Sequence, residues 1–580
     1  MIRPQRTRTR DLFTLDGIWD LSREQPGVDY PDGFAAEKKV AVPGSYNDLY
    51  AEEAFRAWLG GIWYATDFVL PESWRGRRIV LRFGSATYRA EVHLNGAHLG
   101  GHETGYTPFE FDVTEAVTFD GPNRLRVRIE NLLSAETVPQ GNLTAQHETG
   151  QISGQYPNTG FDFFPYGGLH RPVTVYSTAP EAWVDEARIR TAVAGDQATV
   201  AVTGAFGGAC DRAEVTLIET GETVAATCDA RRFSAEVVIP RPKLWDVGQP
   251  NLYHARIRLL GQDGAVLDEV TERFGVRTVE VRGDRFLLNG KPVYLQGFGK
   301  HEDFHLVGKG LNHSVNVRDF ELMTWIHANS FRTTHYPYAE EIMDLADEYG
   351  ILVIGEAPAV SVHFDFVTDR TLQVHVQALR ELIERDINHP SVVMWSVANE
   401  ATSDREAARP YFKALVDLTR ELDPTRPVTA ATCKGADDVT LDLFDVVSVN
   451  TYPGWYFLAG QIEKGYAFLK EDLARIHATC GKPIFISEFG ADTIAGYHGL
   501  PGEQWTEEYQ TDLVLRLIDG MRELDFVIGE HLWNFADFRT AQNYFRVFGN
   551  KKGIFTRERQ PKMVARFLRE RWAKERYAAT

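Results

Sequence analysis

The sequence predicts a multidomain β plus α/β protein: an N-terminal jelly-roll β-sandwich, an immunoglobulin-like β-sandwich and a C-terminal (β/α)8 TIM barrel. Three observations carry that prediction. Up to Val276 the chain alternates apolar and polar positions with period two and shows no long helical stripe. After Arg277 short apolar strands alternate with amphipathic helices. The length of 580 residues is enough for about three or four domains.

Residues 1–178 form the first predicted domain. Arg78-Ile79-Val80-Leu81-Arg82-Phe83, Arg89-Ala90-Glu91-Val92-His93-Leu94 and Arg124-Leu125-Arg126-Val127-Arg128-Ile129 are half-buried strands, and Asn95-Gly96 is a turn between two of them. Many short antiparallel strands of this kind close as a jelly roll. Residues 179–276 repeat the pattern, with Ala198–Val202 and Ala213–Ile218 as strands, over a length suited to an immunoglobulin-like sandwich. Residues 277–580 hold eight strand candidates: Val293–Gly297, Ser330–Thr334, Ile351–Gly355, Val392–Val397, Val428–Thr432, Val446–Val449, Pro483–Ser487 and Val527–Leu532. Leu372, Val376, Leu379, Leu382, Ile383 and Ile387 mark one helical stripe among them, and Ile342, Leu345, Ala346 and Tyr349 another. Eight strands and eight helices predict a closed barrel. A doubly wound sheet is the alternative, but Gly297-Phe298-Gly299 lacks the third glycine of a nucleotide-binding loop.

Composition narrows the function. With 62 Lys+Arg against 81 Asp+Glu the net charge is −19, which repels nucleic acid and anionic lipid, so any anionic ligand needs a local receptor. No run approaches the ~18 apolar residues of a membrane helix, and the basic N-terminus lacks an apolar segment after it, so a soluble, cytoplasmic protein is expected. Cys210, Cys228, Cys433 and Cys480 show no CxxC spacing; Cys210 and Cys228 flank a hairpin and are read as reduced thiols rather than as a pair. The histidines lack metal-ligand spacing, so neither a metal nor an organic cofactor is expected.

In a barrel, reactive groups stand at the C-terminal ends of the strands. Those ends read Lys300-His301-Glu302-Asp303, Thr334-His335-Tyr336, Glu356, Asn399-Glu400, Asn450-Thr451-Tyr452, Glu488 and Trp533-Asn534-Phe535 with Asp537. A ring of carboxylates, amides and aromatic side chains suits a sugar. Glu400 and Glu488 end the fourth and seventh strands, from which they can face each other as retaining glycoside hydrolysis requires. A lone glutamate at a strand end is more often structural; two, with Asn399 beside one and Trp533 across the barrel, favour catalysis.

The chain resembles the β-glucuronidases of glycoside hydrolase family 2 over nearly its whole length. The resemblance rests on Asn47-Asp48, Phe161-Asp162-Phe163-Phe164-Pro165-Tyr166, Gly297–Asp303, His335-Tyr336-Pro337-Tyr338, Trp395–Glu400, Gly454-Trp455-Tyr456, Ser487-Glu488-Phe489-Gly490, Trp533–Phe538 and Gly549–Phe555. It implies a retaining exo-acting hydrolase of terminal β-D-glucuronides, with Glu400 as acid/base and Glu488 as nucleophile. The acid is expected to hold a raised pKa, partly through the charge of Glu488, and the nucleophile to be kept ionised by hydrogen bonds such as one from Tyr452. Asn399 is implied at the sugar 2-hydroxyl. Asn550 and Lys552, with Arg546 and Tyr456 nearby, are implied as receptor for the sugar carboxylate, and Asp162, His335 and Trp533 as lining of the same subsite. Asp162 thereby predicts that the jelly roll reaches the barrel mouth.

Two departures stand out: Ala401 where the family has Pro, and Phe489 where it commonly has Tyr. The short Ala359–Arg380 segment resembles an open mouth that admits bulky conjugates or saccharide ends. A homo-oligomer, dimer or tetramer, is implied by the resemblance alone. A β-galacturonidase or neutral-sugar β-galactosidase of the same family is the alternative, and a non-catalytic carbohydrate-binding protein the alternative from another class.

Overall fold

The computed structural model describes residues 1–143, 157 and 159–575. The N-terminal sandwich packs a four-stranded sheet, in the order Asp11–Thr14, Val173–Thr178, Arg78–Phe83 and Phe109–Asp112, on a six-stranded one. The six run Lys38–Val42, Gly17–Arg23, Gly61–Phe68, Asn123–Glu130, Arg89–Leu94 and Ala97–His102. Period-two patterning decides which face is inward: Ala90, Val92 and Leu94 are buried with Leu125, Val127 and Ile129, while the arginines between them point out. The second sandwich has seven strands, from Ala182–Ala194 to Val266–Phe274, and Arg232–Pro240 alternates buried and exposed residues along its whole length. Cys210 and Cys228 lie against this core as free thiols.

Eight parallel strands close the predicted barrel: β1 (Leu295–Lys300), β2 (Ser330–Thr333), β3 (Leu352–Glu356), β4 (Val392–Asn399), β5 (Val428–Thr432), β6 (Val447–Asn450), β7 (Ile484–Glu488) and β8 (Val527–Leu532). Strand β1 starts later than its apolar run suggests and continues to Lys300, which pairs with Thr333 of the neighbouring strand and whose ammonium meets buried Asp319 at 3.0 Å. Before β1, the small sheet of Val279–Arg282, Arg285–Leu288 and Lys291–Pro292 plugs the N-terminal end of the barrel. Its Phe286 and Leu288 pack on Leu352, Ile354, Val393, Phe485 and Ile528. The sequence reading had not separated this plug from the barrel.

The expectation of eight barrel helices is corrected to seven among the described residues of that domain: α1 (His313–Ile326), α2 (Glu340–Tyr349), α3 (Asp369–Asp386), α4 (Ala408–Leu422), α5 (Ile462–Cys480), α6 (Glu507–Arg522) and α7 (Met563–Lys574). Between β5 and β6 the chain makes only two short 3-10 turns, Gly435–Asp437 and Leu441–Leu443. Gly435 has φ +58°, and the Asp438 carboxylate accepts from the Thr440 N–H (2.8 Å) and hydroxyl (2.6 Å). Such local side-chain bonds compete with helix formation.

The jelly roll docks on the barrel's C-terminal face. Arg557 pairs with Asp48 at 2.6 Å, the Tyr166 hydroxyl bonds Asp303 at 3.1 Å, and Arg171 donates to the Pro337 carbonyl at 2.6 Å. These bonds hold the segment Phe161–Tyr166 over the barrel mouth.

Candidate active site

A cavity of about 570 Å3 opens at that mouth. Asp162, His335, Asn399, Glu400, Tyr452, Tyr456, Glu488, Trp533 and Arg546 line it, so nine of the eleven predicted site residues converge on one space. Asn550 and Lys552 are also there but beneath the surface, 0% and 1% exposed, covered by Asp162, Tyr456 and Arg546.

Glu400 follows β4 with φ +50°, an uncommon conformation for a side-chain-bearing residue, held by its N–H bonding the Ala431 carbonyl at 2.8 Å. One of its oxygens accepts from the Asn450 amide at 2.9 Å, and the same amide donates to Asn399 Oδ1 at 2.9 Å. Ser487 fixes that amide's orientation by donating to its oxygen at 2.7 Å. Glu488, the last residue of β7, is differently placed. Its Oε1 accepts from Arg332 at 2.5 Å and its Oε2 from the Tyr452 hydroxyl at 2.6 Å. Arg332 also binds both oxygens of Glu356, at 2.8 and 2.7 Å. Glu356 further accepts from Ser396 at 2.7 Å and meets His335 Nδ1 at 2.7 Å.

This network sets the protonation. Burial raises Glu400 above the ordinary carboxyl value against the opposing effects of Asn450, Arg332 and Lys434. Burial also pushes Glu488 up, to about 8, despite Arg332 and Tyr452, and the charge of Glu400 adds to the rise. Glu488, expected to be kept ionised with the help of hydrogen bonds, is thus raised along with Glu400, because both carboxyls leave water together. Such a pair titrates as a unit, and where it holds a single proton the two sites compete for it. Its position follows from the donors: the guanidinium and phenol on Glu488 favour the carboxylate there, whereas Glu400 has a single neutral amide. Burial alone would also raise Glu356, but Arg332 and His335 hold it below its usual value. Burial lowers His335 to about 4, so its ring is neutral as it stacks on Trp533 at 5.1 Å.

The second cluster joins four parts of the chain. Arg546 donates to Asp162 (2.8 Å), Asp492 (3.2 Å) and the Tyr456 hydroxyl (2.7 Å). Lys552 donates to Asp492 (2.5 Å) and the same Tyr456 hydroxyl (2.7 Å), and Asn550 to Asp162 (2.6 Å). Lys552 is thus a fully buried charge, unlike the solvated loop that a Lys-Lys pair more often forms.

Arg332 and Asp492 were not singled out from the sequence, and Asn450 and Glu356 were read only as polar strand ends without a role. Asp492 lies four residues beyond Glu488. Arg332 had a signal, a charge inside an otherwise apolar strand whose residues are all buried. Among the described residues, one group has metal-like spacing, Asp344, Asp347 and His389, but it lies outside this cavity and Arg273 already pairs with Asp344 at 2.6 Å.

Comparisons with known proteins agree with this architecture. Residues 12–180 match the sugar binding domain of glycosyl hydrolases family 2, residues 180–277 the model described as glycosyl hydrolases family 2, and residues 279–576 its TIM barrel domain. A β-glucuronidase of Paenibacillus borealis is 41% identical over 99% of this chain and 98% of its own, and one of Homo sapiens 39% identical over 99% and 92%. Among solved structures, Bifidobacterium dentium β-glucuronidase complexed with coumarin-3-O-glucuronide has a TM-score of 0.93 at 40% identity, covering 99% of this chain and 98% of that one. A Ruminococcus gnavus β-glucuronidase in complex with D-glucuronic acid has 0.91 at 36% identity, with 98% and 99% covered. By fold, domain order and similarity over its full length, the chain belongs to glycosyl hydrolase family 2.

Proposed function

We propose that the protein is a retaining, exo-acting β-glucuronidase with Glu488 as nucleophile and Glu400 as general acid/base. The observation that carries the substrate assignment is the convergence of Arg546 and Lys552 on one hydroxyl, that of Tyr456, at the cavity wall. A tyrosine hydroxyl both accepts and donates, and one that already accepts from two cations has its proton left for an anion in the cavity. Two cations and two carboxylates balance in this cluster, so recognition of the sugar acid rests on directed donors more than on net charge. The similarity to β-glucuronidases supports the same reading.

In the first step the Glu488 carboxylate attacks the anomeric carbon, the glycosidic C–O bond breaks, and Glu400 transfers its proton to the departing oxygen. A glucuronyl ester of Glu488 results. Glu400, now a carboxylate, takes a proton from water as the water oxygen attacks the same carbon, which releases glucuronic acid and restores both groups. Asn399, held by Arg332 (3.4 Å) and Asn450, is positioned for the 2-hydroxyl. Trp533 and His335 form the wall against the sugar face. No step needs a metal or an organic cofactor.

The test is parallel hydrolysis of p-nitrophenyl β-D-glucuronide, β-D-galacturonide and β-D-galactoside by the wild type and Lys552→Ala, with thermal melts to confirm folding. Glucuronide-selective turnover that collapses in the variant is expected. Preference for the galactoside, or acid selectivity retained by a folded variant, would overturn the assignment of the receptor.

A further inference from the structure

Beyond the residues assigned to the sugar, the cavity lining includes a second group, here called its wing. Its walls are Cys433, Lys434 and Gly435 after β5, Phe457 after β6, and Phe468, Asp472 and Arg475 on α5. The spacing of 468, 472 and 475 puts those three on one helical face. Phe457 and Phe468 meet edge to face with centroids 5.0 Å apart, yet remain 39% and 37% exposed. They present ring surface to the cavity instead of closing into the core.

The cations of this wing are unequal. Arg475 is engaged by Asp472 at 2.7 Å, and both lie against Gly435. Among the described residues, no carboxylate lies within ion-pair distance of the Lys434 ammonium, in a chain where Asp+Glu outnumber Lys+Arg by 81 to 62. Its charge also acts on Glu400 in the sense that favours loss of the catalytic proton. Within the protein alone Lys434 therefore opposes the acid without a compensating ion pair. A negative charge on the leaving group would supply that compensation at the moment the substrate binds.

We infer that this wing is the leaving-group subsite and that it selects a flat-faced leaving group bearing a carboxylate or sulfate, the ring against Phe457 and Phe468 and the anion on Lys434. The inference rests on the glucuronide-hydrolase reading and adds the chemistry of the second half of the substrate. The same chemistry occurs in two sources, an aryl acid and an acidic sugar residue. Both stack an apolar face on aromatic side chains and end in an anion.

The experiment measures kcat/KM on matched pairs. The aryl pair is 4-(carboxymethyl)phenyl and 4-(2-hydroxyethyl)phenyl β-D-glucuronide, whose phenols have similar acidity; the saccharide pair is a β-D-glucuronyl disaccharide with and without a sulfate on its second sugar. In the wild type the anionic member of at least one pair is preferred, by about tenfold for one charge-assisted contact at a half-exposed site. That ratio falls to about one in Lys434→Met and returns in Lys434→Arg. The pair showing the larger collapse identifies the source. Hydrolysis of all four substrates with equal ratios in wild type and Lys434→Met would overturn the inference while leaving the glucuronide assignment intact. Hydrolysis of none by the folded wild type would overturn the glucuronide assignment itself, and the inference with it.

Discussion

Tyr456→Phe isolates the recognition of the sugar acid from the integrity of the fold. The hydroxyl accepts from Arg546 and Lys552 at 2.7 Å each, and its own proton remains for the substrate. Removing it deletes one hydrogen bond to a carboxylate, worth roughly 1.5–3 kcal/mol, or about a 10- to 150-fold loss of kcat/KM. Little else changes, because Lys552 keeps Asp492 at 2.5 Å and Arg546 keeps both Asp162 and Asp492. Tyr456 is itself 52% exposed, so the ring contributes modestly to stability and the melting transition should move by no more than about 1 kcal/mol equivalent. The assay compares p-nitrophenyl β-D-glucuronide with p-nitrophenyl β-D-glucoside, which has a hydroxymethyl group in place of the carboxylate. The loss should be confined to the glucuronide. An equal loss on both substrates would mean that Tyr456 shapes the cavity without reading the acid, and no loss on either would remove it from the receptor.

The raised, coupled carboxyls predict that kcat/KM falls on the basic side of neutrality as the shared proton leaves the pair. In Glu400→Gln that basic limb should vanish and the rate fall roughly 10²–10⁴-fold on an alkyl glucuronide, with a smaller loss on p-nitrophenyl glucuronide, whose leaving group needs less protonation; a limb that persists unchanged would assign it elsewhere. Stability carries its own pH signature at His389, whose pKa is raised to about 9: burial opposes the charge, but Asp347 at 2.7 Å outweighs it, with Asp386 and Asp344 adding and Arg273 facing the same carboxylates. Because the folded value exceeds the unfolded one of about 6.5, this contribution is full below pH 6.5 and lost as pH rises through 9. Chemical-denaturation midpoints at pH 6 and pH 9.5 should therefore differ more in the wild type than in His389→Gln, and equal differences would contradict the assignment.

The parts of this molecule that were legible in its sequence are those where local pattern and final environment agree. Most barrel strands are largely apolar and end in, or directly before, a polar residue, and the sandwich strands show period-two alternation that the buried and exposed faces reproduce. Glu400 and Glu488 were visible because each directly ends such a run. Arg332 was not, since in Ser330-Phe331-Arg332-Thr333 a charge reads locally as solvent-facing, whereas inside a closed barrel the whole segment is buried. Its purpose depends on Glu356 and Glu488 arriving from β3 and β7, which is a consequence of barrel closure. The missing fifth helix failed for the opposite reason: the count of eight came from the global pattern, while Gly435 and the Asp438–Thr440 bonds decide the local conformation.

The same distinction explains why the acid receptor needs the whole chain. Asp162 comes from the jelly roll, Tyr456 from the loop after β6, Asp492 from the loop after β7, and Arg546, Asn550 and Lys552 from the segment after β8. Each cation is neutralised by a carboxylate from a different segment, so none can be buried until its partner is in place. Lys552 without Asp492 would be an uncompensated buried charge, a loss of about 3–5 kcal/mol. On the proposed assignment the jelly roll is part of the catalytic unit: undocking it would withdraw Asp162 from Arg546 and Asn550 and open the covered side of that cluster to water. A sugar-acid site of the kind proposed is compatible with a net charge of −19 because its positive groups, Arg546 and Lys552, are held locally by carboxylates from other segments and sealed by the domain that precedes the barrel.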